Sequence, residues 1–405
     1  MKKLILNTAI ITLTIASTIT AFGQGQTFLS EVWTGEGGEM AVFYHNATTT
    51  DGLRNVYVAG STFNTSNNND IIVQKFDRDG NLIWQQTHNG AANLDDMAAA
   101  IFVDNNYNVY VTGTSTQNAG DSFDLIVMKY NSSGVLQWTY HYNNGASPLP
   151  YDAGTAITGD NNENIYVTGG SFGSSTMSDY VTIRLDASNG NQIWLERYDY
   201  TQLNDAAANI KLSGSAVVVS GGSQISASPD HWELATLTYD VSNGSLLNTR
   251  RSSGNATQGV DEVYDLTVDG SGNIYIVGAV VNQSTGYDVS IYKLDNQLNI
   301  VWEEHYDGYG LNDKGHGIKV DSQGNVYVVG YVTSPGEGKN YSILKYNSNG
   351  VLQWYREFNG LANQDDEAAQ LVVRNDRIFV TGAARNGEES EIVTMGYTLM
   401  AKYSL

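Results

Sequence analysis

The chain of 405 residues contains no cysteine. That excludes disulfides, a lipid-modified N-terminal cysteine and every thiolate-based metal or catalytic site, so burial and hydrogen bonding alone must hold the fold. Cations are scarce too: 21 Lys and Arg face 43 Asp and Glu, a formal net charge of −22. A surface this acidic repels phosphate backbones and anionic headgroups, which argues against nucleic-acid and membrane-surface binding. It suits cationic partners, divalent ions or plain solubility. The six histidines (His45, His88, His141, His231, His305 and His316) form no HxH or HxxxH pair. No G-x-S-x-G, P-loop or dinucleotide fingerprint is present.

Lys2 and Lys3 precede an uncharged, mostly apolar run from Leu4 to Phe22, and Ala21 and Gly23 supply small residues at −3 and −1 of a cut before Gln24. This reads as a secretory signal peptide over 1–23. The exported chain, 24–405, then carries 19 basic and 43 acidic residues, a balance of −24. The expected destination is the periplasm, the cell surface or the medium, with no membrane insertion after cleavage.

What the chain does contain is a repeat. From Asp313 to Asn359 four short apolar runs (GIKV, NVYVVG, YSILKY and VLQWYREF) are separated by turns rich in Asp, Asn, Ser and Gly. Such runs read as β-strands joined by hairpins. The second run of each copy ends in glycine, at Gly60, Gly113, Gly169, Gly221, Gly278, Gly330 and Gly382, with steps of 52 to 57 residues. A fixed period of this size marks a propeller or an array, not independent domains. The second strands are apolar at both parities, as a sheet buried on both faces requires. The first strands open with small residues, Ala98–Ala100, Gly154, Ala206–Ala208, Gly315 and Ala368, which suits strands crowded around an axis. The turns Asp104–Asn108, Asp269–Asn273 and Asp321–Asn325 should fold on their own Asp side chains.

The fourth run carries Trp84, Trp138, Trp194, Trp302 and Trp354 four residues after a turn glycine, except that Leu298 holds the glycine place before Trp302. Asn248 replaces the tryptophan in the fourth copy, whose outer edge should dock least firmly. The first copy reads as complete from Glu39 to Asn89, with an insertion near Ala47–Arg54. The seventh lacks a fourth strand, and Thr27–Gly35 has the right aromatic-to-Gly ending to supply it. Glu391–Tyr397 is the preferred third strand over Tyr397–Tyr403. An N-terminal strand that completes the last sheet leaves no open edges. The fold class is therefore all-β: a seven-bladed β-propeller of four-stranded antiparallel blades, closed by the N-terminal strand, in one domain.

The repeat D-x-A-x-x-I-x-V-D-x-x-G-N-V-Y-V-T-G…D-x-x-I-x-K-Y-N-x-x-G-x-x-x-W resembles the SBBP family of bacterial β-propeller repeats, over nearly all of the exported chain. The resemblance implies a cell-envelope or secreted location and a binding or scaffold role, with no catalytic residues to carry over. The signal peptide resembles those of Bacteroidetes. The turn-plus-Trp element is similar to the tryptophan-docking repeat of quinoprotein dehydrogenases and outer-membrane assembly propellers, and loosely to the Asp-box of sialidases. A clamp that docks each outer strand onto its neighbour is the favoured reading, because five copies fit a structural device better than a catalytic one.

Candidate site residues are mainly acidic. Asp96, Asp152, Asp205, Asp261, Asp313 and Asp366 head the first strands, with Glu39 as the first member, and Asp70, Asp124, Asp179, Glu233, Asp288 and Glu391 head the third, where the sixth copy has Asn340. Both sets should lie on one face. They form either a set of backbone acceptors that tie loops together or an oxygen-rich rim for Ca²⁺ or a cationic ligand. The doubled acids Asp95–Asp96 and Asp365–Asp366 are the metal candidates; otherwise no cofactor is expected. His316 is the large polar residue among glycines of an inner strand, and so the candidate for a central channel. The resulting expectation is a monomeric, non-enzymatic module presenting an acidic loop face to a protein or glycan partner. The alternative is a quinoprotein-like oxidoreductase or a carbohydrate-active hydrolase or lyase, revealed by non-repeated polar groups at the channel mouth.

Overall fold

A computed structural model describes residues 26–27 and 47–398, apart from short segments at 64–67, 118–122, 146–150, 161–162, 174, 227–230, 255–258, 361–362, 375–376 and 387–388. Glu39, His45 and the proposed strand beyond Thr27 lie outside the described residues. The described residues contain no helix. They form seven sheets whose consecutive strands run up and down in antiparallel order, with one added strand in each of the fourth and seventh. Two compact units divide them: three sheets up to Tyr198, and four from Asp199 onward together with the strand Gln26–Thr27.

In the first unit the sheets comprise residues 48–88, 96–142 and 152–198. The stretch at Ala47–Arg54 is not an insertion. Thr48–Thr50 is the end of the first strand, and Asp51 makes the turn: its carboxylate accepts the N–H of Leu53 and Asn55 at 2.9 Å and the Tyr57 hydroxyl at 2.9 Å. Asp104 in the second sheet does the same with Asn106, Asn108 and Tyr110, and Arg54 and Tyr107 share the same positive φ, 69° and 64°. Asp269 and Asp321 repeat the turn, with Gly272 and Gly324 at positive φ.

In the second unit the sheets comprise residues 205–252, 262–306, 314–358 and 366–398. The fourth sheet has five strands, because Gly259–Val260 runs parallel to the start of His231–Asp240 on its way to Asp261. In the seventh, Glu389–Thr398 pairs with Arg377–Asn386 and places Glu391 opposite Ala384, the register expected from the sequence. The strand Gln26–Thr27 pairs antiparallel to it, opposite Tyr397 and Gly396, and completes four strands.

Each apolar cluster is shared by consecutive sheets; one joins Tyr275, Val277 and Ile291 to Ile318, Val326 and Leu344. The second strands are largely buried, completely so in Val109–Ser115, but the one in the seventh sheet exposes Arg377 and Ala383. The tryptophans dock outer strands onto the next turn. Trp84, Trp138 and Trp302 donate Nε1–H to the carbonyls of Ser132, Ala187 and Ser348 at 3.1–3.2 Å. Their rings lie under Gly134, Gly190 and Gly350, where a Cβ would come within 2.8–2.9 Å of the indole. Where Asn248 replaces the tryptophan, the following turn carries Leu298 instead of glycine, at φ 64° and 3% exposed in the shared core. The edge expected to be loose is thus filled from the other side, although a small pocket lined by Leu234, Arg250, Ile276 and Tyr292 persists beside it.

Candidate functional site

The first strands of the second to seventh sheets each carry a β-bulge three residues after the leading aspartate. In the fifth sheet Val263 pairs with Gly278 and Asp265 with Val277, leaving Tyr264 unpaired; in the sixth, Gly315 pairs with Gly330 and Gly317 with Val329, leaving His316. The bulge explains the glycine that sets the period. A Cβ at Gly278 or Gly330 would lie 1.8 or 1.9 Å from the carbonyl oxygen of Glu262 or Lys314. The backbones touch there, and only glycine fits. A bulge also re-aims the side chain it frees.

The leading aspartates Asp96, Asp152, Asp205, Asp261, Asp313 and Asp366 are at most 5% exposed. Four of them bridge two backbone donors each: Gly90 and Thr116 for Asp96, Gly254 and Val281 for Asp261, Gly308 and Thr333 for Asp313, and Gly360 and Arg385 for Asp366. Asp205 accepts the N–H of Tyr200 at 3.1 Å and the Ser223 hydroxyl, and Asp152 the N–H of Asn144 at 2.9 Å. Burial pushes the carboxyls of Asp152, Asp261 and Asp366 up, and those of Asp205 and Asp313 up to about 6. The residues before them tie sheets together. Asp95 accepts the N–H of Asn69 at 2.8 Å, and Asp365 that of Lys339 at 3.1 Å. Neither doubled pair joins a third ligating side chain among the described residues.

The third-strand acids are engaged in the same way. Asp124 accepts from Asn143 at 2.7 Å, Asp179 from Arg197 at 2.6 Å, Glu233 from Arg251 at 3.0 Å and Asp288 from Thr285 at 3.1 Å. Asp70 is buried, and Asn340 donates to Ser334 at 3.0 Å.

The non-repeated chemistry gathers in the second unit, where the first strands Glu262–Val268, Lys314–Val320 and Asp366–Arg374 lie side by side. The Lys314 ammonium reaches the Glu262 carboxylate, sits 3.1 Å from the Tyr264 hydroxyl and lies 4.2 Å from the centre of the Tyr287 ring. Tyr264 itself donates to Glu262. The His316 ring meets Tyr264 and Tyr331 edge-on, with centroids 4.8 and 5.6 Å away. Its Nδ1 lies 3.0 Å from the Ala368 carbonyl, which can only accept, so that nitrogen carries a proton. Lys339 pairs with Glu367 at 2.5 Å and lies 4.4 Å from the Tyr331 ring centre. Burial, and for Tyr264 the bond to Glu262, drives the Tyr264 and Tyr331 phenols up, so both stay protonated.

His316 was legible in the sequence; its companions were not singled out. The signal was there: the fifth copy writes Asp-Glu-Val-Tyr where the second and fourth write Asp-Met-Ala-Ala and Asp-Ala-Ala-Ala. On the outer strands, burial lowers the His88 and His141 imidazoles below their ordinary value, while His305 pairs with Glu303 at 2.8 Å.

Residues 69–314 match the family described as outer membrane protein assembly factor BamB, well over half of the chain. The chain belongs to this family. A curated relative of this BamB-family chain, the uncharacterized WD repeat-containing protein L264 of Acanthamoeba polyphaga mimivirus, is 25% identical over 150 residues; the match spans 31% of this chain and about a tenth of the relative. Two solved structures share its fold at 10% identity. A polysaccharide lyase, PL25 ulvan lyase, has a TM-score of 0.53, with 93% of this chain and 96% of the other covered. The quinohemoprotein alcohol dehydrogenase of Comamonas testosteroni has a TM-score of 0.51, with 89% and 68% covered. The BamB-family chain is accordingly a β-propeller repeat protein.

Proposed function

We propose that the protein is an exported, non-enzymatic binding or scaffold module of the cell envelope. It is a seven-bladed propeller of SBBP type, closed by its N-terminal strand, that takes a protein or glycan ligand at the Tyr264–His316 cluster. One observation carries the reading. The positions of Glu262 and Lys314 are Met97, Ala153 and Ala206 in three other copies and Glu367 in the seventh, and the bulge positions of Tyr264 and His316 are Ala99, Thr155, Ala208 and Ala369. Equivalent sheets form without these large polar side chains, so the fold does not require them and a ligand does.

Binding is favoured over catalysis by how the cluster is wired. Both of its glutamates are committed to lysines, and both phenols are driven away from the range in which a general base works at neutral pH. Asp261, Asp313 and Asp366 hold the loops that frame the site. Membership of a family described as an outer-membrane assembly factor supports an envelope scaffold. No cofactor is needed in this reading. Ca²⁺ at Asp95–Asp96 or Asp365–Asp366 would have to displace their N–H partners. Purified protein should start at Gln24, show no cofactor absorbance and leave a glycan panel uncleaved; turnover or a quinone spectrum would overturn the proposal.

A further inference from the structure

We infer that the ligand of this cluster is a neutral saccharide; the inference rests on the binding-module reading and narrows it. The cluster presents two glutamate–lysine pairs, Glu262–Lys314 and Glu367–Lys339, beside tyrosine rings. A carboxylate only accepts and an ammonium only donates, whereas a sugar hydroxyl does both. Neighbouring hydroxyls on a pyranose therefore satisfy a Glu–Lys pair without breaking its charge balance. Tyr264 and Tyr287 are both partly exposed, and the C–H side of the sugar would pack on the ring surface that Lys314 and His316 do not cover.

A charged ligand fits worse on either sign. A cation would compete with Lys314, whose ammonium already occupies the place between Glu262 and the Tyr264 and Tyr287 rings, with its side chain only 16% exposed. An anion would meet Glu262 and Glu367 on the very ammoniums it needs, and Asp365 on the backbone of Lys339. Removing one partner from a largely desolvated pair is costly, so the Glu262–Lys314 pair, the less exposed of the two, resists being pulled apart by either ligand. Hydroxyls leave them intact.

The test is calorimetric titration of the exported chain with cellohexaose, xylohexaose and laminarihexaose, and in parallel with oligogalacturonate and hexalysine, in 50 and 500 mM NaCl. At least one neutral hexaose should bind with an affinity that changes less than about twofold between the two salts, because no net charge is neutralised. The variant Tyr264→Ala/His316→Ala places in the fifth and sixth sheets what Ala208 and Ala369 are in the fourth and seventh; it should bind at least tenfold more weakly. Should it fail to fold, Tyr264→Phe removes one hydroxyl from the same site and should weaken binding about tenfold. Salt-dependent binding of oligogalacturonate or hexalysine alone, no binding of any neutral hexaose, or equal binding by the variants would each overturn the inference. New reducing ends in the same samples would instead refute the non-enzymatic reading on which it rests.

Discussion

Replacing Asp313 by asparagine isolates what burying one leading carboxylate does to the fold. Asp313 is fully buried, its two oxygens accept the N–H groups of Gly308 at 2.6 Å and Thr333 at 2.8 Å, and burial lifts its carboxyl from 3.8 to about 6. Between those values the folded chain holds the proton more tightly than the unfolded chain does. Its contribution is therefore fully present below pH 3.8 and is lost as pH rises through about 6. The separation corresponds to about 3 kcal/mol, of which about 2–3 kcal/mol falls between pH 4 and 7.5. Asparagine does not titrate, but it offers an amide N–H₂ where one backbone donor needs an acceptor, at a cost of about 1–3 kcal/mol. Urea melts of wild type and Asp313→Asn should thus differ by about that amount at pH 4 and come close to parity at pH 7.5. A deficit that grows with pH would mean that the folded chain prefers the ionised carboxylate, and the burial account would be wrong.

Three further outcomes follow from the packing. Gly350→Ala combines a φ of 82° with a Cβ 2.9 Å from the Trp302 indole, whereas Gly336→Ala has the same φ and open space; the first should lose about 2–4 kcal/mol and the second about 1 kcal/mol, and equal losses in thermal melts would deny the tryptophan its docking role. Leu298→Gly relieves a positive φ but empties the core, for a net loss of about 1–3 kcal/mol. Adding Asn248→Trp restores the pairing found in the other sheets, so a double-mutant cycle should show at least about 1 kcal/mol of favourable coupling. Deleting 24–27 strips the strand that pairs with Tyr397 and Gly396 and should lower Tm and expose an aggregating edge; an unchanged melt would refute closure by that strand.

Much of the architecture was readable because a repeat is its own alignment. The recurring glycine, the Asp turn and the docking tryptophan each answer a local steric or hydrogen-bonding need that recurs about every fifty residues, so one copy interprets the next. Composition alone ruled out disulfides and thiolate chemistry. It also fixed the strongly acidic balance. The register of the last third strand followed from spacing, since Glu391–Tyr397 needs no insertion where two segments share the apolar pattern. What misled was departure from the pattern: Ala47–Arg54 looked inserted because three threonines do not read as an apolar strand, yet Thr48–Thr50 pairs with residues 56–58.

The residues around His316 that the proposed site draws on became visible only in three dimensions. A linear reading ranks carboxylates by how often they recur, and the leading aspartates recur because buried backbone N–H groups need acceptors in every sheet. Glu262, Tyr264, Lys314 and His316 come from sheets some fifty residues apart, and nothing local joins them. Packing of adjacent first strands brings them together, and a bulge turns two of them out of their sheets. Sequence thus set which strands form and what each turn is made of; tertiary contact decided which polar groups are spent on backbone donors and which gather between neighbouring first strands.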